Sequence, residues 1–200
     1  MEFAKFDIKY HDLHKVADLI FETESELFSL LFGKNKDKAL SRIKRVVKAG
    51  GNSFGHDNIY LAIDKNQILG LILFYKGNDI DKKIESDKFS EILDFPSLLR
   101  LFFFEKTVIS RLLTKNLDEK ELYISNVCVD KNSRGKGVGK FLLNNVFKKA
   151  KAEHCETVIL DVSKDNHIAI GLYKKAGFKV SKERSSLLWK ITIFKMTKKI

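Results

Sequence analysis

Two hundred residues are enough for one domain with a real core, and a hydrophobic fraction of 44% suits a globular chain. No apolar run reaches the ~18 residues of a membrane span, residues 1–5 lack the apolar core of a signal peptide, and two cysteines, Cys128 and Cys155, do not make a disulfide framework, so the cytoplasm is the expected compartment. The net charge of +11 leaves nucleic acid, an anionic membrane surface or a polyanionic small ligand as readings, beside a merely lysine-rich composition.

In chain order, residues 3–10 read as a short first strand. Residues 12–23 follow as a helix, with Leu13, Val16, Ala17, Leu19 and Ile20 at helical spacing. Residues 27–32 continue it after a bend, and 37–48 form a basic amphipathic helix. Gly50-Gly51 and the stretch after it read as a loop. Residues 58–63 and 68–75 form a hairpin about the turn Asp64-Lys65-Asn66-Gln67. Residues 77–120 are the least regular part and contain the single proline, Pro96. Residues 121–129 read as a buried strand, 138–152 as a helix and 157–162 as a strand, so the two strands form a parallel βαβ unit. A short helix at 166–175 stops at Gly177, and strands at 178–182 and 187–196 close the chain. The expected class is α/β, with a mixed central sheet flanked by helices.

Between the strand ending at Val129 and the helix starting at Val138 lies Arg134-Gly135-Lys136-Gly137-Val138-Gly139. A helix N-terminus offers unpaired N–H groups and partial positive charge. Glycines let that backbone close on an anion without a Cβ in the way. Together they make a phosphate cradle. Residues 130–152 hold seven Lys/Arg and one acid, which fits an anion there. The P-loop pattern fails, because Phe141 follows Gly139-Lys140 and no glycine stands five residues before Gly139. The dinucleotide pattern fails too, since Lys140 and Leu142 occupy its last glycine place in the two possible registers. A glycine-rich turn that only closes a strand–helix connection is the plain alternative.

This segment resembles the GCN5-related N-acetyltransferase family, whose R/Q-x-x-G-x-G/A pattern is matched by Arg134, Gly137 and Gly139. A second stretch is similar to the same family's later motif: Asn166, Ala169, Leu172, Tyr173, Gly177 and Phe178 match N-x-x-A-x-x-L-Y-x-x-x-G-F. The match is best over 123–178. The resemblance implies one N-acetyltransferase domain over 1–200, with a donor-binding core at 121–178 and a helical insert at 77–120, between the third and fourth strands. It implies acetyl-CoA as acyl donor and an amine, free or on a protein, as acceptor. It also implies that the backbone of Val127, Cys128 and Val129 pairs with the pantetheine arm, and that the strands at 121–129 and 157–162 splay where the thioester enters. Arg134, Gly135, Lys136, Gly137, Val138 and Gly139 would hold the pyrophosphate, and Asn166 would contact the donor or simply cap its helix.

The implied reaction needs a neutral amine, a donor for the oxyanion and a proton for the departing thiolate. Tyr173 matches the family's usual general acid, or else is a packed aromatic. Asp161 stands where ribosomal-protein N-terminal acetyltransferases carry a glutamate proposed as base, or else is an ordinary strand carboxylate. Glu22, Glu24, Glu26 and Glu121 are further base candidates, and ordered water is another. Cys128 lacks a His-Asp companion and reads as a core thiol. The histidines and cysteines have no metal-ligand spacing, so no metal is expected.

The insert of roughly 44 residues carries Phe95, Leu98, Leu99 and the run from Leu101 to Phe104, then Val108, Ile109, Leu112 and Leu113. A helix that apolar is expected to be buried. Three roles stand open for it: a packed helical pair, a lid or wall over the acceptor, or a homodimer contact. A non-catalytic acyl-CoA sensor of the same fold is the alternative to the enzyme. No recognition motif supports nucleic-acid binding.

Overall fold

The computed structural model describes every residue except Gly33, Asn78 and Lys115, and every side chain of those it describes except that of Leu30. The expected insert at 77–120 includes Asn78 and Lys115, which lie outside the described residues.

The chain opens with β1 (Glu2–Lys5), shorter than the 3–10 expected. The Asp7 carboxylate accepts from the Lys9 amide at 2.7 Å, and His11 Nδ1 accepts from the Asp7 amide at 2.9 Å, turning the chain before it can extend further. Asp12 then caps α1 (Leu13–Thr23) by accepting from the His14 and Lys15 amides. The helix stops at Glu24, whose backbone leaves helical space at φ −150°, ψ 60°, and α2 (Ser25–Phe32) restarts at once. Asn35 caps α3 (Lys36–Ala49), which lays Ala39, Leu40, Ile43, Val46 and Val47 against the core.

The hairpin β2 (Ile59–Asp64) and β3 (Gln67–Lys76) turns through Lys65 and Asn66, both at positive φ. Then comes the insert: α4 (Lys82–Ile92), α5 (Phe95–Phe104), a wider π turn at Glu105–Ile109, and α6 (Ser110–Leu112). The main unit follows as β4 (Glu121–Val129), α7 (Val138–Ala152), β5 (Thr157–Ser163) and α8 (His167–Lys175). Finally β6 (Lys179–Ser186) and β7 (Ile191–Lys199) form a hairpin.

The last hairpin differs from the reading of its sequence. Residues 187–190 turn the chain rather than opening a strand, and Lys190 takes a φ of +50°. The apolar trio Leu187-Leu188-Trp189 belongs to that turn. Its tryptophan packs on the insert, with ring centroids 6.3 Å from Phe103 and 5.8 Å from Phe104.

The seven strands run in the order β1-β2-β3-β4-β5-β7-β6. Only β4 and β5 pair in parallel, as the βαβ unit between them requires. The sheet is covered on both faces, which explains the apolar runs in its middle strands. One face takes Leu61, Leu71, Leu73 and Cys128 with α1, α2, α3 and the buried side of the insert. The other takes Ile72, Ile124, Leu160 and Met196 with α7 and α8.

The insert is only half buried. Phe104, Val108 and Leu112 enter the core. Phe95, Leu99, Phe102 and Phe103 face outward, each more than half exposed. The expectation that the whole apolar run would be buried therefore fails. α5 lies at the surface, where α2 and Trp189 cover one side of it.

Candidate active site

The site begins where two strands part. The β4–β5 ladder runs from Glu121↔Thr157 to Ile124↔Leu160 and goes no further. β5 continues to Ser163 on its other partner, β7. β4 continues to Val129 on β3, with an irregularity that passes over Ser125, since Leu73 pairs Asn126 and Phe74 pairs Ile124. An extra residue in one strand bends it and strengthens its twist. Beyond Ile124 the β5-side edge of β4 therefore has no ladder, and this edge includes Val127, Cys128 and Val129.

Directly after that open edge comes the glycine segment. Asp130 closes a tight turn, accepting from the Asn132 amide at 3.0 Å, and forms an ion pair with Lys15 that holds its carboxyl below the usual range. Gly135 and Gly137 take φ of +76° and +80°, and no atom lies within 4 Å of where a Cβ would stand on either. α7 starts at Gly137 without a side-chain cap. Its first amides, Val138, Gly139 and Lys140, thus have no side-chain partner in the cap, and a Cβ on either glycine would stand in open space. Gly139 instead makes room for a neighbour: a Cβ there would meet Leu172 Cδ2 at 2.9 Å. Uncapped amides beside two such glycines suit an anionic group.

Arg134 is folded back, with Nε donating to the Val129 carbonyl at 3.2 Å and a guanidinium nitrogen 3.9 Å from Glu22. Glu22 also pairs with Lys131 at 2.8 Å. Lys136 is exposed and borders a groove of about 890 Å³ beneath the β2–β3 turn. That groove touches neither the strand opening nor Tyr173. The open edge, the twin glycines and the uncapped helix make the stronger claim to an acyl donor.

Tyr173 lies on α8, 8% exposed, with its ring edge-on to Phe178 at 5.9 Å. Burial raises its phenol above the ordinary value, and the Glu24 carboxylate adds to the effect. Glu24 belongs to the other face of the sheet, at the break between α1 and α2. That break is fixed in place: Asn126 Nδ2 donates to Thr23 Oγ1 at 2.8 Å, one residue past the irregularity in β4. Glu24 is exposed, with neighbouring protein still displacing part of its hydration. Loss of hydration raises its carboxyl, and Glu26 adds a like charge. The sequence offered Glu24 only as one carboxylate among several. The signal that separates it is the helix break beside Thr23, which lacks a composition mark.

The remaining candidates scatter. Asp161 is the first β5 residue past the last pair with β4, its side chain 2% exposed. Burial raises its carboxyl, while bonds from Thr114 and Tyr123 and the charge of Arg184 oppose the rise. Glu121 starts β4 at the closed end, and its carboxylate accepts from the Asp118 amide at 3.0 Å. Glu26 is exposed in the first turn of α2. Asn166 caps α8 through the Ala169 amide at 3.1 Å. Cys128 is buried, its thiol pushed up to about 12 chiefly by desolvation, so it is a poor nucleophile. Among the described residues, no cluster of ligating side chains could hold a metal, and no helix is long and apolar enough to cross a membrane.

Comparison with known proteins agrees with this architecture. Residues 24–178 match the model of the Acetyltransferase (GNAT) family. The chain is 34% identical over 73 residues to N-acetyltransferase 8B of Homo sapiens, covering 36% of this chain and 32% of that protein. It is 34% identical over 56 residues to N-alpha-acetyltransferase 30 of Saccharomyces cerevisiae, covering 28% of this chain and 32% of that protein. In both cases the match spans about a third of the relative's length. A crystal structure of an N-acetyltransferase from Staphylococcus aureus Mu50 superposes with a TM-score of 0.76 at 20% identity, over 99% of this chain and 100% of that one. That likeness extends the agreement in fold to both ends of the chain. The family match covers most of the sequence, from the break before α2 to the end of the α8 motif, and the chain belongs to the Acetyltransferase (GNAT) family.

Proposed function

We propose that this protein is an N-acetyltransferase that uses acetyl-CoA as donor and transfers the acetyl group to a primary amine by direct attack. The observation that carries the reading is the parting of β4 from β5 at Ile124 and Leu160, followed at once by a glycine cradle that no side chain fills. In this reading the amides of Gly135, Gly137, Val138 and Gly139 hold the pyrophosphate, with Arg134 and Lys136 adding positive charge. The free edge of β4 at Val127, Cys128 and Val129 receives the pantetheine arm as an added strand. Asn166 caps α8 beside it. Bound there, the thioester supplies an activated acetyl group.

The chain's own residues then handle the protons. Glu24 stands at the break between α1 and α2, Tyr173 is buried on α8 against the other face of the sheet, and the Glu24 charge is felt at the phenol; in this reading both serve the strand opening. Glu24, with its raised carboxyl, takes a proton from the incoming ammonium or from the attacking amine. As the N–C bond forms and the C–S bond breaks, the Tyr173 hydroxyl gives its proton to the departing sulfur. A buried phenol held above its ordinary value stays protonated until that moment. Asp161 is a weaker base in this scheme, since Thr114, Tyr123 and Arg184 already engage its oxygens.

The test is thiol release from acetyl-CoA across a panel of amines: a peptide with a free α-amine, a peptide with an internal lysine, spermidine and glucosamine 6-phosphate. Release that depends on one of these amines supports the enzyme. Tight donor binding with no amine-dependent release from the panel overturns it in favour of an acyl-CoA sensor.

A further inference from the structure

Asp161 sits at the apex of the strand opening, and its bonds lead away from the reaction. Oδ2 accepts from the Thr114 amide at 2.6 Å and from the Tyr123 hydroxyl at 3.1 Å. Oδ1 accepts from the Thr114 hydroxyl at 3.2 Å and lies 3.7 Å from Arg184 Nη1. The same Arg184 nitrogen donates to the Leu112 carbonyl at 3.0 Å. Leu112 and Thr114 form the exit of the insert. One buried carboxylate and one arginine from β6 therefore grip both sides of that exit and seat it on the sheet face that carries α1 and α2. This arrangement spans 47 residues of sequence at Thr114 and 72 at Leu112.

The grip also explains how a carboxylate tolerates such burial. An unpaired buried charge costs several kcal/mol, whereas this one receives three hydrogen bonds and a cation. At its other end the insert is tied differently. Arg42 pairs with Asp94 at the start of α5, and Ser53 donates its amide to Glu85 of α4 at 2.7 Å. The Asp94 carboxylate is far more exposed than that of Asp161. Between the two ends runs the π turn at Glu105–Ile109, a rare departure from the α-helical hydrogen-bond pattern.

We infer that Asp161 is a positioning residue: with Arg184 it clasps the exit of the insert against the strand opening, so that the insert forms a closed wall on the acceptor side. The acceptor role rests on the acetyltransferase reading, but the clasp itself does not. Releasing it frees residues 105–114 without moving the glycine cradle, which follows the end of β4 at Val129 and leads into α7 on the opposite face of the sheet. The acceptor then loses a wall while the donor keeps its site.

The experiment compares wild type and Asp161→Asn by amide hydrogen exchange, with steady-state kinetics over the same amine panel. The expected result is at least a tenfold faster exchange over 105–114, with β4, β5 and α7 still protected. It is accompanied by a rise of about tenfold in acceptor KM, a donor KM within twofold, and an unchanged pH profile. Unchanged exchange at 105–114 overturns the clasp. Loss of the acidic limb of the pH profile at constant acceptor KM makes Asp161 the base and equally overturns the positioning role. If Asp161→Asn loses protection throughout, Arg184→Met is read in the same way, because it removes the bond to Leu112 and leaves the Thr114 bonds to be tested. If wild type acetylates none of the amines, the proposed function fails while the exchange result still decides the clasp.

Discussion

Thr23 and Asn126 are joined side chain to side chain, the amide of one donating to the hydroxyl of the other at 2.8 Å. The bond ties the end of α1 to β4 one residue past its irregularity, at the level where β4 leaves β5. Thr23 Oγ1 in turn donates to the Ile20 carbonyl at 2.6 Å, closing the helix end. The next residue, Glu24, stands in the break between α1 and α2. A strand irregularity and a helix break, neither of them chemical in itself, thus set the position of a titratable group.

Glu24→Gln tests that placement. The active form of a base is the carboxylate, and the Glu24 carboxyl lies above the usual range. Turnover in wild type should therefore fall as pH drops through that raised value, at a higher pH than a solvated glutamate would give. The variant should lose this acidic limb and on the order of 100-fold in kcat, with donor binding unchanged. A pH–rate profile of both proteins checks it.

Tyr173→Phe should leave acetyl-CoA affinity within about twofold and lower kcat on the order of 100-fold. Burial and the Glu24 charge both raise the phenol, so wild type keeps its acid as pH climbs towards the ordinary tyrosine value near ~10. No alkaline fall in kcat should occur below that pH. Calorimetric donor titration and kcat against pH together decide the matter.

Gly137→Ala separates strain from occupancy. A Cβ there meets nothing, so the folded protein loses only the cost of a left-handed non-glycine residue, roughly 1–2 kcal/mol. The same methyl intrudes on the space assigned to the pyrophosphate. Donor Kd should rise on the order of tenfold, about 1.4 kcal/mol. Urea denaturation reads the first effect and calorimetry the second.

The insert should show two faces in a stability assay. Leu112 is 1% exposed and packs in the core, so Leu112→Ala should cost about 2–5 kcal/mol. Phe102 is 58% exposed, and Phe102→Ala should stay within about 0.5 kcal/mol. Chemical denaturation of the two variants gives the comparison.

Much of this fold was legible because the sequence marks it locally. The hairpin at 59–76, the parallel unit from Glu121 to Ser163 and the cap at Asn166 follow from period, turn residues and glycines. The end of β1 was not legible, because Asp7 turns the chain with bonds that hydrophobic pattern does not register. The final hairpin was misplaced because Leu187, Leu188 and Trp189 look like strand residues but serve a turn that packs on the insert. In the candidate site, the glycine segment and Tyr173 stood out through a motif. The setting of Asp161 did not, since it depends on Thr114 and Arg184, far away in sequence and brought near only by folding. Glu24 was named beside Glu22, Glu26 and Glu121, but nothing local set it apart from them, since its raised carboxyl depends on the folded surroundings of the α1–α2 break.

If the parted strands and the glycine segment form the donor site, a crystal structure with coenzyme A should show it there. The pantetheine arm should run along the free edge of Val127–Val129, with the pyrophosphate on the amides of residues 135–139 and the sulfur beside Tyr173. Coenzyme A bound instead in the groove beneath the β2–β3 turn, away from Tyr173, would contradict this placement.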